Sequence, residues 1–179
     1  MTTRRTALTG LCITLASLAG CLGDDTNPFG DAAEGDLDER SEAVSSYDDA
    51  IDDWNEATET RNRGIEMFNA EAYAEAADAF EAAIDGYTDA DETFTDVRDQ
   101  VRETGRDAAI AICSDAVENT RLQLEATEAA YEGAIAGRDG EPAGTINEHI
   151  RTFQDLVEEA EAYPLQDANA LVNALDLDQ

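Results

Sequence analysis

Apolar residues recur at steps of three and four along nearly all of the chain beyond residue 40. Val44, Tyr47, Ile51 and Trp54 open the series, and Ile65 and Phe68 continue it. Steps of this size put side chains on one stripe of a helix, and a stripe must be buried against another element. The polar residues Thr58 and Arg61 weaken the stripe in its middle. β-Branched residues never alternate over a useful length, so strands are not expected. The pattern implies an all-α fold, an antiparallel bundle of four or five helices.

Local signals divide the pattern. Ser45 or Ser46 is suited to cap the first helix. Asn69-Ala70-Glu71 reads as a tight turn. A second stripe follows through Tyr73, Ala76, Phe80, Ala83, Ile84, Tyr87, Phe94, Val97 and Val101. Gly86 and a Thr88/Asp91 capping pair would interrupt it, and Gly105 is another break. Ala108, Ile112, Ala116, Leu122, Leu124, Ala130, Tyr131 and Ile135 form a third segment, ended by the run from Gly137 to Pro142. A fourth helix carries Ile146, Ile150, Phe153, Val157 and Ala160 on one face and stops at Pro164. Leu165, Ala168, Leu171, Val172 and Leu175 suggest a short last helix.

Within the first pair of helices, Gly64, Tyr73, Ala76, Phe80 and Ala83 follow a more specific pattern. It resembles one tetratricopeptide repeat, in which small residues let paired helices approach and aromatics fill the gaps. The resemblance implies a helical hairpin used for protein binding. It departs from the repeat at Thr60 and Arg63, where tryptophan and leucine are expected, and at Thr88, where the closing proline belongs.

The charge is extreme. Forty-two Asp and Glu face eleven Arg, there is no Lys, and the net charge is −31. Self-repulsion on this scale opposes folding in dilute buffer. Disorder is not the consequence, because 42% of the residues are hydrophobic and they are periodic. At about 1 M salt the Debye length is only about 3 Å, and surface carboxylates scarcely sense one another. The composition resembles that of haloarchaeal proteins, which implies a domain that folds in brine. With its arginines scattered, the chain offers no basic patch for nucleic acid, and anionic lipid head groups would repel it.

The N-terminus reads as an address. Arg4 and Arg5 precede an uncharged apolar stretch from Ala7 to Gly20, too short to span a bilayer as a helix, which needs about 20 apolar residues. Leu18-Ala19-Gly20-Cys21 resembles the lipobox of exported lipoproteins, and Arg4-Arg5 resembles a twin-arginine export signal. The resemblance implies removal of residues 1–20, lipid on Cys21, and attachment to the outer face of the cytoplasmic membrane. Loss of Arg4 and Arg5 with the signal would take the net charge from −31 to −33. Residues 21–40, rich in Gly and carboxylates with Pro28, read as a flexible tether to a helical domain over 41–179.

The remaining residues carry little recognisable chemistry. His149 is the single histidine, and Ile146 stands three residues before it, so neither a His-x-x-x-His nor a Glu-x-x-His metal pair can form. Cys113 follows an apolar run and reads as a small buried hydrophobe. Without Lys there is no Walker lysine, and neither Gly-x-Gly-x-x-Gly nor Gly-x-Ser-x-Gly occurs. Asp89-Ala90-Asp91 lacks the third ligand and the glycine turn of a calcium loop. Trp54, Tyr73, Phe80 and Tyr87 could line a groove, but their helical spacing points first to core packing. No catalytic residue, metal or cofactor is expected. The expectation is a non-enzymatic protein-binding or scaffolding module at the cell surface. The alternatives are a structural envelope protein with a self-closed bundle, or a solute- or metal-binding accessory subunit of a transporter.

Overall fold

A computed structural model describes residues 30–177. The signal segment, Cys21 and the tether residues before Gly30 lie outside the described residues, as do positions 178 and 179. Among the described residues there are five helices and no strand: α1 (Gly30–Asn69), α2 (Tyr73–Glu103), α3 (Asp107–Arg138), α4 (Ala143–Ala160) and α5 (Ala168–Ala174). The fold is all-α. Each helix packs on the next through α4, and α5 packs against α1 and α3.

Two helix boundaries differ from the sequence reading. α1 begins at Gly30, inside the expected tether, and runs through Ser45 and Ser46 without a cap there. The stripe from Val44 onward nucleates the helix, and extending an existing helix costs little. Acidic residues before Arg40 also suit the positive end of its dipole. Within the extension, residues 37–39 are exposed, Leu37 among them. The second difference is α2, which passes unbroken through Gly86 and Thr88. The Thr88 hydroxyl donates to the carbonyl of Ile84, 2.8 Å away, within the helix instead of capping a new one. Gly86 marks a close helix crossing: a Cβ there would lie 3.1 Å from that of Ala57 on α1.

The turns fall where the sequence places them. Glu71 takes a left-handed φ of 60° between α1 and α2. Gly105 and Gly140 adopt φ of 65° and 74°, a region that costs glycine little. The Glu141 N–H then reaches back to the Ala136 carbonyl at 2.9 Å, closing the end of α3.

Burial is organised in three levels along the bundle. At one end Tyr47, Phe94, Val97, Val101, Ile112 and Cys113 pack with Leu171 of α5 and with Leu175, which follows it. At the other, Phe80 lies among Ala76, Ala77, Ala130 and Ala134, with Phe68 and Phe153 at its edge. Between them Ala57, Ala83 and Tyr87 make a thin middle level. More than half of the buried apolar residues are alanine, so the helices approach closely while each contact buries little area.

The bundle is not closed on every side. α4 has 18 residues against the 32 of α3, so it covers only about 27 Å of a helix about 48 Å long at 1.5 Å per residue. Beyond Ala160 the chain crosses as an irregular connector to α5. α1 and α4 both flank α3, yet their backbones do not approach closely, and they meet only through side chains such as Arg61 and Phe153. A groove is left between them.

Candidate functional site

The middle of the bundle is polar. Arg61, Asn119, Thr120, Gln123 and Thr127 are the buried polar or charged residues among those described. Thr120 and Thr127 satisfy themselves by donating to the carbonyls four residues back, at 2.8 and 2.7 Å. Of the other three, Arg61 and Gln123 are bonded to one another, and Asn119 lies one turn before Gln123 on α3. Arg61 of α1 is 9% exposed, a guanidinium almost withdrawn from water. Its Nη1 donates to Oε1 of Gln123 on α3. Its carbon stands 5.9 Å from the ring centroids of both Tyr87 on α2 and Phe153 on α4. Cations at this range gain about 0.5–2 kcal/mol from an aromatic face. Four helices thus meet on one arginine.

Tyr87 extends the site. Its hydroxyl shares a 2.8 Å hydrogen bond with Thr58, and its ring meets Trp54 edge-on at 6.2 Å. Burial holds the Tyr87 phenol above its ordinary pKa, with Arg61 and the Thr58 bond acting against the shift. Thr58 and Arg61, the two residues that interrupt the α1 stripe, are therefore the α1 contribution to this polar level.

The groove opens beside it. About 620 Å³ lies between Ile51, Trp54 and Asn55 of α1, Asn119 and Gln123 of α3, and Val157 of α4, with Glu161 and residues 164–167 completing the rim. Two atoms of its lining residues are buried without a hydrogen-bond partner, Trp54 Nε1 and Asn119 Oδ1; Arg61 Nε is a third such atom next to Gln123. Asn119 is fixed by its other end, where Nδ2 donates to the carbonyls of Ala160, 3.1 Å away, and Tyr163, 2.8 Å away. Leaving a buried polar atom unpaired costs about 1–3 kcal/mol, so this level is the least well satisfied part of the described interior.

The residues singled out from the sequence are dispersed. Phe80 is fully packed, with Gly64 against its ring. Tyr73 meets Phe68 edge-on at 5.3 Å and lies on Gly137. Trp54 departs from the core reading: it packs on Tyr87 and also lines the groove. His149 is half-buried where α4 crosses Gly133. Cys113 is fully buried, and burial pushes its thiol up to about 12. Asp89 and Asp91 sit within α2, not in a loop. A second cleft of about 640 Å³ lies between the start of α1 and the end of α2, lined by Glu39, Glu42, Asp96, Asp99 and Glu103. Arg98 and Arg102 both pair with Asp99 there.

Asn119, Gln123 and Arg61 were not legible as site residues. The signal that marks them is polarity on an apolar face: Ala116, Thr120, Gln123, Thr127 and Ala130 follow one another at steps of four and three along α3. Comparison with protein families, with curated proteins and with solved structures found no match to this chain.

Proposed function

We propose that this chain is a non-enzymatic binding module displayed on the outer face of the cytoplasmic membrane, held there by a lipid on Cys21 and exported through a signal containing Arg4 and Arg5. The observation that supports binding is the groove of about 620 Å³ between α1 and α4, with Trp54 and Asn119 in its lining. A bundle serving only as a structural element would gain by closing that gap. The packed interiors around Phe80 and Phe94 suit the structural alternative, but the Trp54 level does not.

The address rests on Leu18-Ala19-Gly20-Cys21. Gly30, where α1 begins, follows Cys21 by nine residues. Nine residues reach at most about 30 Å, so a lipid on Cys21 would keep the base of α1 near the membrane. The tetratricopeptide-like reading of residues 64–83 belongs to the same proposal. Two of its matching residues, Gly64 and Phe80, form a close α1–α2 contact, as a shape-matched helical hairpin requires.

Cell fractionation tests the address. The native protein should sediment with membranes and incorporate labelled lipid. Cys21→Ala should be released to the medium or remain uncleaved in the membrane. A Cys21→Ala protein that was processed and still membrane-bound would overturn the proposal.

A further inference from the structure

We infer that residues 161–177 form a strap that leaves the bundle as ionic strength falls, before α1–α4 unfold, and takes one wall of the groove with it. The inference rests on the reading of the groove as the binding site and names a control on it: the groove is whole only while the strap is seated. The strap is the irregular connector after α4 together with α5. Its connector lines the groove, through Glu161 and residues 164–167, together with Trp54 of α1. Beyond the connector, Leu171 and Leu175 are fully buried in the core level of Tyr47, Phe94 and Ile112. They are the only buried residues of the strap. Two side chains of the bundle hold its backbone. The Tyr47 hydroxyl donates to the carbonyl of Gln166 at 3.0 Å, and Asn119 Nδ2 donates to that of Tyr163 at 2.8 Å. α5 has seven residues, and a helix so short does not persist in water alone. Its folding and its seating are therefore one step.

Charge works against these attachments. The strap carries Glu161, Asp167 and Asp176 and no arginine. Asp176 alone of the three has an arginine partner among the described residues, Arg106. Burial holds the Tyr47 phenol above its ordinary pKa, and the charges of Asp115 on α3 and Asp167 on the strap push the same way. Two carboxylates from opposite sides of the contact thus act on the hydroxyl that ties the strap down. At about 1 M salt their repulsion is screened within about 3 Å, whereas at about 0.1 M it reaches about 10 Å. The Arg106–Asp176 attraction also grows in dilute salt, but it is one exposed pair against a net charge of −31. α2 and α3 bury residues along their whole length, so they hold together at salt concentrations that free the strap.

The full chain is stepped from molar potassium chloride to dilute buffer. Hydrogen exchange, acrylamide quenching of Trp54, the single tryptophan, and helical circular dichroism are read at each step. The amides of Leu175 and Leu177, bonded to the carbonyls of Leu171 and Val172, report the strap. They should exchange at least about tenfold faster at a salt concentration where the α2 and α3 amides keep their protection. Trp54 quenching should rise in the same step, while most of the helical signal remains. Tyr47→Phe, which removes the bond to Gln166 and keeps the ring, should move release to higher salt without altering α3 exchange. Asp167→Asn, which removes a charge and keeps a capping side chain, should move it to lower salt. Loss of protection in the strap and α3 at the same salt concentration would overturn the inference, as would strap protection that does not respond to salt. Release unmoved by Asp167→Asn would mean that charge does not lift the strap. Release without a rise in Trp54 quenching would mean that the strap does not control the groove, and either result sinks the inference. None of these readings needs a groove ligand or Cys21, so failure here and failure of the binding reading are separately visible.

Discussion

Arg61 and Gln123 are bonded side chain to side chain across the α1–α3 contact, although 62 residues separate them in sequence. The arginine is held by packing as much as by charge, since the rings of Tyr87 and Phe153 both stand 5.9 Å from its guanidinium carbon. Truncation therefore removes stacking and strands the Gln123 oxygen. Arg61→Ala should cost about 2–4 kcal/mol, the sum expected of a core cavity and an orphaned acceptor. Arg61→Met keeps much of the apolar stem and avoids burying a charge, so it should lie within about 1 kcal/mol of the native protein. Urea midpoints in molar salt decide this. Equal losses for the two variants would mean that the charge, not the packing, holds this level together.

Gly64 lets α1 and α2 meet at the Phe80 ring. A Cβ at position 64 would come within 2.7 Å of Phe80 Cε1, and the ring is 1% exposed with no room to retreat. Gly64→Ala should destabilise by about 1–3 kcal/mol, as overpacking does. Gly144, in the first turn of α4, has nothing within 4 Å of its would-be Cβ. Gly144→Ala should be neutral or stabilising by up to about 1 kcal/mol. Thermal melts of the pair check the contact, and a harmless Gly64→Ala would show that the helices can move apart freely.

Asp91 faces α3 with its Oδ1 buried and unpartnered. Burial holds its carboxyl above the ordinary value, opposed by Arg98 and Arg121. A raised pKa in the folded state means that the fold binds the proton more tightly than the unfolded chain does. The contribution of Asp91 is therefore favourable at acid pH and is lost as pH rises through the folded value. Asp91→Ala removes the orphan carboxylate and places the best helix former in α2. It should stabilise the protein by about 1 kcal/mol at neutral pH. The advantage should shrink as pH falls toward the carboxyl range. An advantage independent of pH between 3 and about 7 would remove the carboxylate from the explanation.

The helical class and most turns were legible because they depend on local signals. Stripe periodicity, the Asn69–Glu71 turn, Gly105, and the run from Gly137 to Pro142 act within a few residues of themselves. Gly86 misled because its reason lies across the bundle, at Ala57 of α1. Ser45 and Ser46 misled because a nucleated helix extends past acceptable caps toward its own N-terminus. The groove was hidden for a related reason. Whether Trp54 is covered depends on where α4 ends relative to α1, and that is set by the connector after Ala160, not by the α1 stripe. Polar residues in an apolar register, Arg61 on α1 and Gln123 on α3, were the visible trace of the site.

Cys113 lies in the same core level as Tyr47 and Phe94, with 0% exposure. With its pKa pushed up to about 12 by burial, only a minute fraction is thiolate at neutral pH. A disulfide reagent should react with it at the rate of global unfolding and no faster. Adding denaturant should expose one equivalent from this residue in step with loss of helix. Rapid labelling of Cys113 in the native state would show that α3 opens locally around it.

The alanine-rich core bears on the last expectation, dependence on salt. Alanine brings helices close but buries little apolar area, so the driving force per contact is small. The exposed ion pairs, such as Arg121 with Glu118 and Arg102 with Asp99, contribute little. Against this stands a net charge of −31, repelling itself. Helical circular dichroism should fall when salt is dialysed away and return when it is restored. Two mechanisms can be separated. If screening alone acts, potassium chloride and sodium sulfate should restore helix equally at equal ionic strength. Sulfate also strengthens apolar burial, so a core as lean as this one should refold at a lower ionic strength in sulfate than in chloride. A full helical signal in dilute buffer would contradict both arguments, and would mean that the alanine contacts outweigh the repulsion unaided.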